Sequence, residues 1–362
     1  MQIRPFGGVL LTVTMFLGTA VAGPDTFRLL NLGREAAKAG DLDEAERYHR
    51  LAVDLAEQSG DSAELAEAIG DLGGILLARW RVEESKELCL KSLALLRDSK
   101  NNRYLPVVLN NLGVISMHRG DYAQSEAYFK ESLRSVRAFP RPDAYEARVL
   151  NNFGAFYYRI KDLGNAEKAF KKAISVFEKE LGPDRAELAP FLSNLGGVYV
   201  LRKKWDLATP LFDRALLLLQ NSAQPDRLSL AAVLDNQGMM HRLRKNLVEA
   251  EKSIRKAHDL RLALLGPENP LVVVTEVKLA GTLREMGRYE DAEHLYTAAL
   301  TAYEKTSRLH TMDAATALEE LAHLFRQTSR EKNADPLEAK ARAIRFELEQ
   351  TVSARRLTQS PR

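Results

Sequence analysis

One cysteine stands in 362 residues, at position 89. No disulfide can staple the fold, so stability must come from packing. Aromatic side chains make up only 7% of the chain, with two tryptophans. No stretch alternates strictly between apolar and polar, which argues against strands. The charge balance is nearly even, +3 overall, so nucleic acid is excluded as the main partner. No phosphate-cradling Gly-rich loop ends in Lys-Ser or Lys-Thr, and there is no nucleophile elbow and no His-Glu-x-x-His. The seven histidines, from His49 to His323, show no ligand spacing. The expectation is a chain that is not an enzyme, with no cofactor and no metal.

The first 22 residues differ from the rest. Arg4 gives a positive start, Phe6 to Thr19 is apolar or small, and Ala20-Val21-Ala22 is a small-x-small pattern before Gly23-Pro24. This reads as a secretory signal peptide over residues 1–22. The apolar run is short for a membrane span, which needs about 20 residues, although an uncleaved anchor stays open. The residue after the break is Gly23 and not cysteine, which argues against a lipoprotein. Cleavage would leave 51 Lys and Arg against 49 Asp and Glu. The expected destination is a bacterial periplasm or the extracellular space, with no stable membrane insertion after cleavage.

What fills the remainder is a repeat. Leu109 to Leu133, LNNLGVISMHRGDYAQSEAYFKESL, reads as helix, tight turn and helix. With Gly113 as anchor, the same position falls on Gly33, Gly73, Gly154, Gly196, Gly238, Ala280 and Ala322, at intervals of 40 to 42 residues. Twelve residues after each anchor stands a small residue, from Ala45, Ser85 and Ser125 to Ala334. Nineteen after it stands another, from Ala52, Ser92 and Ser132 to Ala341. Between the two lies a bulky side chain in most copies, as at Phe129, Phe170, Phe212, Ile254 and Tyr296; Cys89 takes that place in the second copy and reads as a small buried apolar residue. A period of this length means stacked supersecondary units.

Small, small, aromatic, small at these offsets resembles the tetratricopeptide repeat. The 42-residue period, with Leu265-Gly266-Pro267-Glu268-Asn269-Pro270 followed by Gly287-Arg288-Tyr289-Glu290-Asp291-Ala292-Glu293, is similar to the variant of kinesin light chains. The resemblance implies an all-α, right-handed α-solenoid of about eight antiparallel helical hairpins over residues 24–345. Residues 346–362 would be the end of a charged capping helix, running from Leu337 to about Arg355, and a tail. Ala334-Asp335-Pro336 reads as that helix's start. Pro183, Pro225 and Pro267 recur at 42 residues, two of them after Gly182 and Gly266. Gly would end one helix in a left-handed conformation and Pro would open the next.

In stacked hairpins the first helices line the concave side. Two residues before the anchors stand Asn31, Asp71, Asn111, Asn152, Asn194, Asn236, Lys278 and Glu320. An Asn amide offers donors and an acceptor together, so a row of them suits an extended peptide backbone. The row resembles the asparagine ladder of the O-GlcNAc transferase superhelix, and kinesin light chains bind peptides on this surface. The resemblance implies Asn111, Asn152, Asn194 and Asn236 as peptide contacts. Tyr158, Arg159, Arg242 and Arg284 follow their anchors by four or five residues and would add an apolar contact and a basic bias toward acidic segments. The other reading of the same residues stays open: amides that bond a neighbouring helix or water, and solvated arginines. The function expected is an exported scaffold that binds a protein or peptide, acidic segments included, in the concave groove. The alternative is a regulatory or enzyme-associated subunit that binds a small signal or a catalytic partner.

Overall fold

A computed structural model of the chain describes residues 23–98, 103–138, 145–222 and 226–358. The expected signal peptide over residues 1–22, the linker Phe139-Pro140-Arg141-Pro142, Pro225 and the last four residues lie outside the described residues. Among the described residues there are sixteen α-helices, one 3-10 turn at Ala186–Leu188, and no strand. They form eight hairpins: α1 (Pro24–Ala39) with α2 (Leu42–Ser59), α3 (Ser62–Ala78) with α4 (Val82–Asp98), α5 (Leu105–His118) with α6 (Tyr122–Arg137), and α7 (Tyr145–Arg159) with α8 (Leu163–Leu181). Then come α9 (Ala189–Leu201) with α10 (Trp205–Gln220), α11 (Arg227–Leu243) with α12 (Leu247–Leu265), α13 (Pro270–Glu285) with α14 (Tyr289–Lys305), and α15 (Met312–Gln327) with α16 (Glu331–Thr358). The architecture is the all-α solenoid of helical hairpins. The chain divides into two compact units, one ending at Val233 and one beginning at Leu234, inside α11.

The small-residue lattice makes each hairpin. All sixteen small positions, Ala45 to Ala334 and Ala52 to Ala341, are wholly buried. Where the residue is serine, its hydroxyl donates to the facing helix: Ser125 to the Gly113 carbonyl and Ser132 to the Pro106 carbonyl, both at 2.7 Å. Ser85 and Ser92 repeat the arrangement on Gly73 at 2.7 Å and Ala66 at 2.6 Å. The anchor leaves room for the bulky residue of the partner helix. A Cβ on Gly113 would lie 2.8 Å from Phe129 Cε1, and one on Gly154 would lie 2.7 Å from Phe170 Cε1. That close approach is what the glycine permits.

The turn inside the hairpin is the same in all eight copies. The residue seven after the anchor has positive φ whether it is glycine, as at Gly40, Gly120 and Gly287, or not, as at Trp80, Lys161, Lys203, Lys245 and Ser329. The next N–H closes the first helix, as Asp41 N–H does on the Ala36 carbonyl at 2.9 Å. The sequence at Trp80 and Ser329 departs from glycine, yet the backbone does not.

The structure corrects two helix boundaries. Gly182 and Gly266 do not take the left-handed helical conformation; their φ and ψ are 91° and 163°, and 77° and 164°. Proline bars the preceding residue from helical ψ, which pushes these glycines into an extended region of positive φ that only glycine tolerates. Pro183 and Pro267 therefore sit in the connecting turns. Pro190 and Pro270 occupy the first turns of α9 and α13 instead. Likewise α16 begins at Glu331 and carries Pro336 inside it, five residues after its start. Pro210 stands at the same repeat position inside α10.

Candidate functional site

The central first helices are almost wholly buried: in α5 every residue from Pro106 to Met117 is buried, and in α7 nearly every one. The expected amide row lies in that layer. In the unit ending at Val233, Asn111, Asn152 and Asn194 are buried, and Asn152 and Asn194 meet a second row one residue earlier in the chain. Asn152 Nδ2 donates to Asn110 Oδ1 at 3.2 Å, and Asn194 Nδ2 donates to Asn151 Oδ1 at 2.9 Å. Each rung joins the first helix of one hairpin to the first helix of the hairpin before it. In the other unit the same rung is ionic. Lys278 Nζ donates to Asp235 Oδ2 at 2.6 Å, and Arg261 Nη1 reaches the same oxygen at 3.2 Å. Burial pushes the Asp235 carboxyl up, but Lys278 and Arg261 outweigh it and hold it below the ordinary range. Burial lowers the Lys278 ammonium despite that partner.

At the amino-terminal end of the row, Asp71 accepts from Arg34 Nε at 2.8 Å and from the Tyr104 hydroxyl. Arg34 also donates to Glu67 at 2.8 Å. Arg34 thus lies buried between two carboxylates of the next hairpin. Asn236 is also buried, in the unit from Leu234 onward.

The expected basic residues are engaged as well. Arg242 Nη2 pairs with Glu285 at 2.8 Å, and Lys245 shares that carboxylate at 2.9 Å. Arg284 Nη2 pairs with Glu320 at 2.9 Å and its Nη1 donates to Gln327 at 3.0 Å. Their charge is balanced by the neighbouring hairpin. Tyr158 is buried, while Arg159 is exposed and makes no ion pair among the described residues. Tyr157, half-buried, stacks on Phe153 with ring centroids 4.5 Å apart.

A further feature holds successive hairpins in order. An arginine eight residues after the anchor pairs with a glutamate thirteen after the preceding anchor: Arg81 with Glu46 at 2.7 Å, Arg288 with Glu251 at 2.8 Å and Arg330 with Glu293 at 2.6 Å. The sequence contains this pattern, but it emerges only when charges in adjacent repeats are compared. Within the first hairpin the bulky position is held by His49, which stands against Gly33 and is wholly buried. Neither ring nitrogen has a partner among the described residues, and burial lowers its basicity. Cys89 takes the same place in the second hairpin, and burial pushes its thiol up to about 12. A thiol so placed stays protonated and unreactive.

Among the described residues no three His, Cys, Asp or Glu side chains gather as a metal site, and no helix is long and apolar enough to cross a membrane. These features define a repeat protein of stacked helical hairpins bound to one another by buried polar rungs. The sequence profile of the Tetratricopeptide repeat matches residues 104–179, 145–221, 187–263 and 229–305, more than half of the chain. The chain belongs to the tetratricopeptide repeat family.

No curated protein matches the sequence. Among solved structures, the fold is similar to a Rap protein complexed with Competence and Sporulation Factor, with TM-score 0.61 and 14% identity over 90% of this chain and 98% of that one. It is similar to a signal transduction ATPase with numerous domains from Pyrococcus horikoshii, which carries a tetratricopeptide repeat sensor, with TM-score 0.57 and 13% identity over 91% of this chain and 49% of that one. A putative kinesin light chain from Podosopora anserina with nearly identical repeats gives TM-score 0.46 and 16% identity over 56% of this chain and 96% of that one.

Proposed function

We propose that this chain is a non-catalytic scaffold that holds a protein or an extended peptide along its first helices, and that it does so outside the cytoplasm after losing residues 1–22. One observation carries the binding reading: the amide row is not fully used. Nδ2 of Asn111 and Nδ2 of Asn151, on consecutive first helices, are buried and have no acceptor among the described residues. A buried donor left alone costs about 1–3 kcal/mol. Neighbouring packed helices lie about 8–10 Å apart. About three residues of extended chain cover that distance. A peptide drawn along the row can therefore offer a carbonyl to each amide when the first helices part.

In this reading Asn152 and Asn194 are rungs that position the row. Asn111 supplies the free donor, and exposed Arg159 with half-buried Tyr157 marks the accessible edge, while Tyr158 packs beneath it. Asn236, Arg242 and Arg284 belong to the other unit, and the balanced charge of the two arginines gives no ground for an acidic preference. The Rap protein carries its bound factor on a chain of this fold and extent, which supports capture of a factor as the use of the architecture. Export is supported by Arg4, the apolar run and Ala20-Val21-Ala22.

The test is photocrosslinking in the native envelope from position 159, with exposed Lys130 on α6 as the control position. Position 159 should capture a protein or peptide that position 130 does not. Asn111→Ala should reduce that capture at least tenfold with no fall in melting temperature. Equal capture from both positions, or capture indifferent to Asn111→Ala, overturns the reading.

A further inference from the structure

We propose that hydrolysis of the Ala22–Gly23 bond creates an ion pair that ties the first hairpin to the second: the new α-ammonium of Gly23 against the Glu64 carboxylate. The proposal rests on the export reading above. Water adds across the peptide bond, leaving a carboxylate on Ala22 and an amine on Gly23 that takes up a proton.

The carboxylate is the exception in its unit. Up to Val233, the other buried acids each face an arginine: Glu67 and Asp71 face Arg34, Glu46 faces Arg50 and Arg81, and Glu146 faces Arg137. Glu64 is only 5% exposed, yet its one hydrogen-bond donor among the described residues is the Ser59 hydroxyl at 3.1 Å. An ionised carboxylate is rarely buried without a cation. The group beside it is Gly23. A Cβ built there would lie 3.5 Å from Glu64 Oε1 and 3.7 Å from Oε2. The Gly23 nitrogen shares the Cα with that Cβ, so it lies within about 6 Å of both oxygens.

In the uncut chain that nitrogen is a neutral amide, and the carboxylate has no counter-charge among the described residues. In the cut chain it is a cation at close range. The pair also removes a penalty at the other end. Gly23 caps α1, and its carbonyl accepts from Phe27 N–H at 2.9 Å. A bare ammonium at a helix amino terminus is repelled by the helix dipole, and a carboxylate beside it cancels that repulsion. Removal of the leader thus completes the contact between α1 and α3.

The full chain is exported in its host, recovered and sequenced from its amino terminus, then its α-amine is titrated by the rate of acylation against pH. Gly23 should be the first residue. Its amine should acylate about tenfold more slowly at pH 6.5, below both midpoints, than in Glu64→Gln exported the same way, as a rise of one unit in basicity requires. Should Glu64→Gln fail to fold, the wild-type midpoint decides alone, and it should lie above the ordinary α-amine range of about 7.7–8.0. A different first residue overturns the export reading as drawn, and the pair with it. Gly23 in first place with an ordinary midpoint overturns the pair and leaves export standing.

Discussion

The side-chain amide of Asn194 on α9 donates to Oδ1 of Asn151 on α7 over 2.9 Å, with both residues wholly buried. An asparagine pair in an apolar layer has few ways to satisfy itself, and a hairpin shifted along its neighbour would leave donor and acceptor apart. The rung therefore fixes the register of one repeat on the next as well as adding stability.

Asn194→Ala should lower unfolding stability by about 1–3 kcal/mol, because the Asn151 oxygen is left buried and unpaired. Denaturant unfolding of the single variants and of Asn151→Ala with Asn194→Ala gives the coupling. Additive losses would show that the two side chains act independently and would remove the rung.

The ionic version of the rung should respond more sharply. Asp235 is the shared acceptor of Lys278 and Arg261, and all three are buried. Asp235→Ala leaves two cations without their acceptor, and removing one partner of a buried ion pair costs about 3–5 kcal/mol. Lys278→Met, which removes a charge and keeps Arg261 on Asp235, should cost less. The order of the two variants in thermal unfolding checks the assignment, and the reverse order contradicts it.

The small positions are a separate test of the lattice. Ala173 is wholly buried between helices of the fourth hairpin. Ala173→Leu should overpack that contact and destabilise by about 1–3 kcal/mol. An unchanged melting temperature would mean that the helices have room the lattice denies them.

These cases show what the sequence made legible. Ala45 through Ala334 could be read in advance, because small residues at fixed offsets have one physical use, the close approach of two helices. Asn111, Asn152 and Asn194 could be read as a row but not as to direction, since an amide is equally satisfied by a peptide or by the next helix. Asn110 and Asn151, the partners one residue earlier, were visible as the repeated Asn-Asn dipeptide and needed the structure to show that successive hairpins bring the two rows together. Arg81 with Glu46 was hidden for another reason: a pair of charges 35 residues apart looks like ordinary surface until the hairpins are stacked. Arg242 and Arg284 read as a basic wall because their acids, Glu285 and Glu320, stand in the next repeat.

Two glycines with empty space around them separate backbone strain from packing. A Cβ on Gly182 or on Gly120 meets nothing within 4 Å. Gly120 is in the left-handed helical turn that Lys161 and Lys203 also occupy, so Gly120→Ala should cost at most about 1 kcal/mol. Gly182, at φ 91° and ψ 163°, is where only glycine is at ease, so Gly182→Ala should cost about 1–3 kcal/mol. Equal effects would mean that the turn before Pro183 relaxes freely.

His49 should make the first hairpin sensitive to acid. Burial is the largest influence on its ring and lowers its basicity below the ordinary value of 6.5, while the Asp71 charge pulls the other way and Arg34 adds to the lowering. The unfolded chain therefore binds a proton at a pH where the folded chain refuses it. Stability is fully present above the unfolded value and is lost as pH falls through 6.5 toward the lowered folded value. His258 in the other unit has the opposite sign: Glu276 raises it, so its contribution is present in acid and fades as pH rises through the raised value. His49→Phe, which installs the residue that Phe129, Phe170 and Phe212 show fits this position, should leave stability near pH 7.5 little changed or improved and should flatten its fall between pH 6.5 and pH 5. Thermal unfolding across that range, in the wild type and in the variant, checks it. A fall of the same steepness in both would place the acid sensitivity on other groups and leave the buried imidazole without a role in it.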